Sequence, residues 1–163
     1  MIRIIFSLAL GIVLTMTAAK AQVQLMPSVG VLVYDANTFG VVSISGRYFI
    51  SSHVAAGINI RYVPALRIPL ATLEADYFFS PTKSIRPFFG LEAGSFSEYR
   101  RVLYYTWGIA PKVGVQGKLS SLMGVQLEIS RPVAIKKGER FGADTGTGFL
   151  VGIGLNFALG ANR

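Results

Sequence analysis

Glu74 and Asp76 are the first candidates for chemistry, because they lie two residues apart in a segment that alternates apolar and polar side chains. Residues two apart in an extended strand point to the same side, so both carboxylates face one way. Such a pair could act as a general acid and a general base. The alternative is an ion network with basic side chains on other strands. We favour the network, because basic residues occupy matching positions.

Seven charged residues fall in the middle of predicted strands, and all of them lie on the faces opposite the large apolar side chains. Buried charges are tolerated only when they are paired, and here three basic residues nearly balance four acidic ones. The sequence therefore predicts a structural ion network in the lumen of the fold. Its members are Arg47, Arg61, Glu74, Asp76, Glu92, Lys112 and Glu128.

The remaining chemistry-bearing residues form no recognisable site. His53 is the single histidine and follows Ser52, but no acid can be placed near this pair to complete a nucleophilic triad. One histidine, no cysteine and no clustered carboxylate loop leave no metal-ligand set. The glycine-rich runs at 146–148 and 152–154 precede no helix, so they are not phosphate loops. We expect no catalytic, metal or cofactor site and no enzyme activity.

The elements that position these residues are strands, since period-two alternation recurs along the chain and helical periodicity is hard to find. Each segment is long enough for the roughly 9–11 residues of a membrane-crossing strand. Tight turns alternate with connections of more variable length. The variable connections, which include 99–103 and the long 134–146, are the predicted external loops. The eight segments are 28–35, 40–50, 53–63, 69–79, 86–98, 104–118, 122–133 and 147–159.

Residue size decides which face of the strands is interior. The chain is 52% hydrophobic with a mean hydropathy of +0.50, yet beyond residue 21 no run approaches a membrane helix. Glycines such as Gly57, Gly90 and Gly114 share the charged faces, where they make room in a narrow lumen. The large side chains then face lipid. The predicted fold is all-β, an eight-stranded antiparallel up-and-down transmembrane β-barrel, whose closed sheet leaves no unpaired edge in the bilayer.

The N-terminal residues have the pattern of an export signal. Met1–Arg3 is positively charged, Ile4–Thr17 is apolar, and Ala19-Lys20-Ala21 supplies small residues at the cleavage positions. We expect residues 1–21 to be a cleaved signal peptide and residues 22–163 to form one barrel domain. The expected location is the bacterial outer membrane.

The formal net charge of +8 raises the question of which anionic partners the chain could bind. Nucleic acid is not expected, because an exported chain rarely meets it and no basic recognition element occurs. We expect a monomer that contacts outer-membrane lipid, lipopolysaccharide and the outer-membrane assembly machinery. Lipopolysaccharide phosphates could be bound by basic residues of the external loops, with solvated loop charge as the simpler alternative. The candidates are Arg100, Arg101, Lys136, Lys137 and Arg140.

Two stretches, LATLEADYFFSPTKSIRPFFGLEAGSF (70–96) and WGIAPKVGVQGKLSSLMGVQLEIS (107–130), resemble the outer-membrane β-barrel domain family of small OmpA/OmpX-like, porin-type barrels. That family has a Y-F-F … I-R-P-[FY]-x-G-L-x-x-G hairpin before an A-P-x-V-G-V strand. Many such barrels end on an aromatic residue, whereas six residues follow Phe157 here. The positions that match are Tyr77, Arg86, Pro87, Gly90, Gly94, Ala110, Pro111 and Gly114.

The resemblance implies fold and location more than activity. We expect a membrane barrel with a polar, plugged lumen and a structural or surface-interaction role. The alternative is a narrow channel or transporter for small or apolar solutes, and a lipid-modifying enzyme is least favoured. At the hairpin after the fourth strand, Phe78 and Phe88 should cap the lumen, while Lys83 and Arg86 should stay with water or headgroups.

The assignment of inside and outside gives a first prediction. Leu127→Lys places a charge on the lipid-facing side and should destabilise the folded protein by about 2–4 kcal/mol if its site is near the bilayer midplane. Denaturant unfolding in lipid vesicles measures this loss. Losses near zero for several such substitutions on the apolar faces would reverse the assignment.

Overall fold

The structure, a computed structural model, describes residues 23–34, 37–80, 82–100, 102–134 and 148–159. These residues form antiparallel strands. No helix in the described ranges is long and apolar enough to cross a membrane. The strands are β1 (Val23–Tyr34), β2 (Asn37–Phe49), β3 (Val54–Val63), β4 (Ile68–Phe78), β5 (Ile85–Arg100), β6 (Val102–Lys118), β7 (Met123–Ser130), β8 (Val133–Ala134) and β9 (Phe149–Leu159).

Pairing between strands closes the sheet into a barrel. Strands β1 to β7 pair in chain order, and β9 pairs with both β7 and β1. The two residues of β8 continue β7 along β6 in the same register. The interruption falls at Arg131 and Pro132, where proline has no N–H to donate to a ladder. The wall thus has eight strand positions, and the predicted eight-stranded antiparallel barrel is confirmed.

The strand ends differ from several predicted boundaries. β1 begins at Val23 rather than near residue 28, because it pairs with β2 from that residue onward. The predicted external loop at 99–103 is wrong, since Arg100 pairs with Val102 and only Arg101 separates β5 from β6. The predicted segment 122–133 is split at Arg131 and Pro132. In the first two cases the neighbouring strand decides where pairing stops, and local alternation carries no information about it. In the third case the cause is local, because Pro132 has no N–H to donate.

The barrel has two ends of different character. The turn end carries the connections 50–53, 79–84 and 119–122, and the loop end carries 35–36, 64–67, 101 and 135–147. β1 begins and β9 finishes at the turn end. The connections at the turn end are four to six residues long, whereas those at the loop end range from the single residue 101 to the long 135–147. Connection length therefore varies more at the loop end.

Exposure alternates along the strands as the period-two pattern predicts. In β4, Leu73 is 64% exposed whereas its neighbour Glu74 is 3% exposed. Large apolar side chains cover the outside of the wall on every long strand. Examples are Val29, Ile44, Ile58, Leu73, Leu91, Trp107, Leu127 and Ile153. An apolar surface of this extent suits a hydrocarbon environment rather than water.

Aromatic rings close the turn end of the lumen. Phe49, Phe78 and Phe88 are buried together, with centroids 5.3 Å (Phe49–Phe78) and 5.2 Å (Phe78–Phe88) apart. We call these three rings the aromatic floor. Outside the wall at the same height, Tyr77 and Phe79 are exposed and contact each other at 5.3 Å. The hairpin after β4 therefore supplies rings to both sides of the sheet.

Gly114 makes room for the aromatic floor. It pairs with Phe88, whose ring lies over it: a Cβ built on Gly114 would come within 2.5 Å of that ring and 2.3 Å of the Leu127 carbonyl oxygen. Gly46 lies on the outer face and has nothing within 4 Å of such a Cβ. Substitutions at these two glycines therefore distinguish the effect of steric crowding from the effect of backbone entropy.

The second prediction compares these glycines. Gly114→Ala should destabilise the protein by about 1–3 kcal/mol, the usual effect of overpacking. Gly46→Ala should be neutral or stabilising by up to about 0.5–1 kcal/mol, because alanine loses less backbone entropy than glycine. Urea unfolding in vesicles compares the two. Equal effects at both sites would contradict the role given to Gly114.

Candidate functional site

The candidate site is the charged middle layer of the lumen, where strands β2 to β7 each contribute at least one side chain. All its charged residues are at most 6% exposed. They lie in one connected group, and we call it the lumen network. The contributing residues are Arg47 from β2, Arg61 from β3, Glu74 and Asp76 from β4, Glu92 from β5, Lys112 from β6 and Glu128 from β7.

Arg47 reaches across the barrel to three carboxylates. Its Nε lies 2.9 Å from Glu74 Oε1 and 3.1 Å from Asp76 Oδ2, and its Nη2 lies 3.6 Å from Glu128 Oε2. The Nη1 group donates a hydrogen bond to Gln126 Oε1 at 2.6 Å. The planar guanidinium, with five N–H donors, suits this role because it can serve several acceptors at once.

Lys112 joins the same carboxylates from the next side. Its Nζ lies 2.5 Å from Glu74 Oε2, 2.9 Å from Asp76 Oδ1 and 3.6 Å from Glu92 Oε1. Arg61 pairs with Glu92 at 2.6 Å. Asp76 meets its two cations as ion pairs without well-aligned hydrogen bonds. Glu74 and Asp76 are thus held between two cations and buried, which leaves no open face for a substrate.

The network carries three cations and four carboxylates. Removing ions from water costs several kcal/mol each, which mutual attraction offsets only when the geometry is good and the remaining atoms are hydrogen-bonded. Gln126 helps, because it accepts from Arg47 and its Nε2 donates to Glu128 Oε2 at 2.8 Å. The network therefore fills the lumen with groups that hold one another in place.

An apolar layer covers the network on the loop side. Leu32, Val41, Val63, Leu70 and Leu150 are buried against one another there. The cavity in this layer measures about 20 Å³, enough for about one water molecule and too small for a larger solute. With the aromatic floor at the other end, the lumen consists of an apolar cap, a charged layer and an aromatic floor.

Arg86 is expected from the sequence to stay with water or headgroups, and its side chain also packs inside the lumen. It is half-buried, and its guanidinium lies 5.1 Å from the Phe78 ring centroid and 5.7 Å from that of Phe49. It also donates a hydrogen bond to Gln116 Oε1. The signal was present, because Arg86 lies two residues before Phe88 and therefore shares its face.

The other candidate residues are spread over both ends. His53 Nδ1 lies 3.0 Å from Ser52 Oγ at the turn end, and within the described residues no carboxylate contacts this pair. Arg100 is the last residue of β5 at the loop end. Arg101, Lys136, Lys137 and Arg140 lie outside the described residues. The described ranges contain no cluster of three or more histidine, cysteine, aspartate or glutamate side chains that could hold a metal ion.

A closed eight-stranded wall, apolar outside and charged within, is the architecture of the small outer-membrane barrels. No protein-family model and no curated protein matches the sequence. Solved structures do match. The N-terminal β-barrel domain of Pseudomonas aeruginosa OprF has a TM-score of 0.64 at 15% identity, covering 85% of this chain and 97% of that domain. The resemblance to outer-membrane barrels is therefore confirmed at the level of the fold.

Two further structures share the architecture. Neisserial surface protein A (NspA) has a TM-score of 0.58 at 13% identity, covering 85% of this chain and 97% of its own. A de novo designed transmembrane β-barrel has a TM-score of 0.56 at 14% identity, covering 83% and 95%. Identities this low establish the fold and leave the role of the chain open.

The lumen network gives the third prediction. Lys112→Met leaves Glu74 and Asp76 with one cation fewer and should destabilise the protein by about 3–5 kcal/mol, as expected when a buried pair loses a partner. Adding Asp76→Asn to that variant should recover part of the loss. Urea unfolding of the single and double variants measures both effects.

Glu128→Gln is the matched control for Lys112→Met. Glu128 is the most weakly held carboxylate, 3.6 Å from Arg47, and its replacement leaves three cations facing three carboxylates. The expected loss is much smaller than for Lys112→Met. Similar losses in both variants, or no recovery in the double variant, would contradict a coupled network.

Proposed function

We propose that this protein is an integral outer-membrane barrel with a plugged lumen, whose role is structural or depends on contacts at its surface. The apolar outer wall supports membrane insertion, since the side chains that face outward are large and aliphatic or aromatic. The exposed rings of Tyr77, Phe79 and Phe89 at the turn end support it further, because aromatic girdles mark the membrane interface of such barrels.

The observation that carries this proposal is the filled lumen. Arg47 and Lys112 span the interior to shared carboxylates, and apolar layers lie on both sides of them. A solute crossing the barrel would have to break buried ion pairs and displace packed side chains. Function then resides in the outer wall and in the two ends.

Export and surface contacts belong to the same proposal. Residues 1–21 act as a signal peptide that is removed, leaving residues 22–163 as one barrel domain in the outer membrane. The loop end faces outward, where Arg100, Arg101, Lys136, Lys137 and Arg140 meet lipopolysaccharide phosphates. The barrel is inserted as a monomer by the outer-membrane assembly machinery, binds no nucleic acid and has no catalytic role.

A second candidate, a narrow conduit, is favoured by one row of lumen side chains. Ser45, Asn59 and Thr72 are register neighbours across β2, β3 and β4. Each is buried, and its side-chain oxygen has no hydrogen-bond partner among the described residues. Buried polar atoms of this kind are normally satisfied by water, so this row offers a polar track beside the network.

Conductance separates the two candidates and is the fourth prediction. The purified protein, reconstituted in planar bilayers, should give no steady unitary openings, because the network and the two apolar layers block the lumen. A general diffusion porin in the same bilayers serves as the positive control. A change of electrophoretic mobility on boiling shows that the barrel is folded. Only preparations that pass this test are used for the measurement. Steady openings would overturn the plugged lumen and favour the conduit.

A further inference from the structure

A polar cavity lies at the turn end of the barrel, beside the aromatic floor. It measures about 190 Å³, whereas about 10–15 Å³ is enough to hold one water molecule. Strand ends and the turns around residues 82–83 and 118–124 form its walls. We call it the turn-end cup and define it by Gln24, Lys83, Arg86, Gln116, Lys118 and Asn156.

The charge of the turn-end cup has one sign. Lys83, Arg86 and Lys118 line it, and no acidic side chain belongs to the lining within the described part of the chain. None of these three cations forms an ion pair with a described residue. The lumen network differs sharply, since its cations are all paired with carboxylates. Three unpaired cations around one cavity attract an anion.

Asn156 is the second, independent sign of a ligand. Its side chain lines the cup and the residue is 2% exposed, yet neither Nδ2 nor Oδ1 has a hydrogen-bond partner among the described residues. Buried polar atoms are nearly always hydrogen-bonded, and leaving one unsatisfied is unfavourable. An amide can turn its NH₂ group toward an acceptor, so an oxyanion in the cup would satisfy it.

The cup is partly preorganised by its inner wall. Arg86 is held by the rings of Phe49 and Phe78 and by its hydrogen bond to Gln116 Oε1. Gln116 is fixed in turn, because its Nε2 donates to Gln24 Oε1 at 3.0 Å. One guanidinium donor is used here, and a guanidinium has five. A positioned arginine of this kind is well suited to a phosphate oxygen pair.

We propose that the turn-end cup binds a phosphate group through Lys83, Arg86, Lys118 and Asn156. Two sources carry this chemistry: the headgroup of a phospholipid in the membrane leaflet at the turn end, and free phosphate in solution. The exposed rings of Tyr77 and Phe79 lie at the same end of the barrel. Phosphate from either source would contact the same lysine, arginine and asparagine side chains. The two sources differ in whether acyl chains accompany the phosphate.

The fifth prediction tests the cup with two probes. The folded protein in maltoside detergent, which contains no phosphate, is titrated with inorganic phosphate and with dihexanoyl-phosphatidylglycerol below its micelle concentration. Calorimetry or ³¹P line broadening measures binding. At least one probe should bind saturably. Lys83→Gln/Lys118→Gln should weaken that binding about tenfold or more, because it removes two charge-assisted hydrogen bonds to the phosphate.

Matched variants complete the experiment. Arg67→Asn removes one positive charge at the loop end and keeps a residue that tolerates the positive φ of 56° found there, so it should leave binding unchanged. Asn156→Asp keeps the shape of the side chain and should weaken binding by repelling the anion. The change in electrophoretic mobility on boiling shows that each variant is folded.

The outcomes distinguish the two phosphate sources from each other, and some of them overturn the proposal. Tighter binding of the short-chain lipid assigns the cup to headgroups, and tighter binding of inorganic phosphate assigns it to the free anion. The absence of saturable binding for both probes overturns the proposal. Weakening by Arg67→Asn that matches Lys83→Gln/Lys118→Gln per charge removed also overturns it, because the effect would then reflect overall charge.

Discussion

Pairing of every backbone N–H and C=O within the sheet is the constraint on which the rest of the structure depends. In hydrocarbon an unpaired group costs several kcal/mol, so the wall must close, and β9 closes it by pairing with β1 and β7. Closure turns one face of every strand toward a narrow interior and the other toward the surroundings. The apolar outer face and the charged lumen both follow from that geometry.

A narrow closed interior has to be filled, and the filling divides the lumen into compartments. Arg47 and Lys112 bridge carboxylates that lie on separate strands, while Phe88 packs over Gly114 to form part of the floor. The floor separates a charge layer whose cations are paired with carboxylates from a cup whose three cations form no ion pair with a described residue. Arginine and lysine thus have two roles in the lumen. They fill it where a carboxylate lies within reach, and they are available to a ligand where none does.

The fold alone does not specify a role, since a de novo designed transmembrane β-barrel shares it at 14% identity. Any role specific to this chain must come from features that the wall does not require. The lumen network is tied to the filling of the interior. The cup is different, because closing the barrel requires neither three cations nor an unsatisfied Asn156 at its turn end. For that reason we regard the turn end as the part of the molecule in which a ligand should be sought.

The fold class, the number of barrel strands and the face on which residues such as Leu73 and Glu74 lie can be predicted from the sequence, because period-two alternation is local and a strand has only two sides. It could not determine the strand ends near Arg100 and Val102, which depend on the pairing of two strands with each other. It also could not show that Arg86 packs against Phe49 and Phe78, because those rings converge beneath it from different strands. Which charges meet a partner, and which remain free to bind a ligand, is decided by distances across the closed barrel, and only the tertiary structure contains those distances.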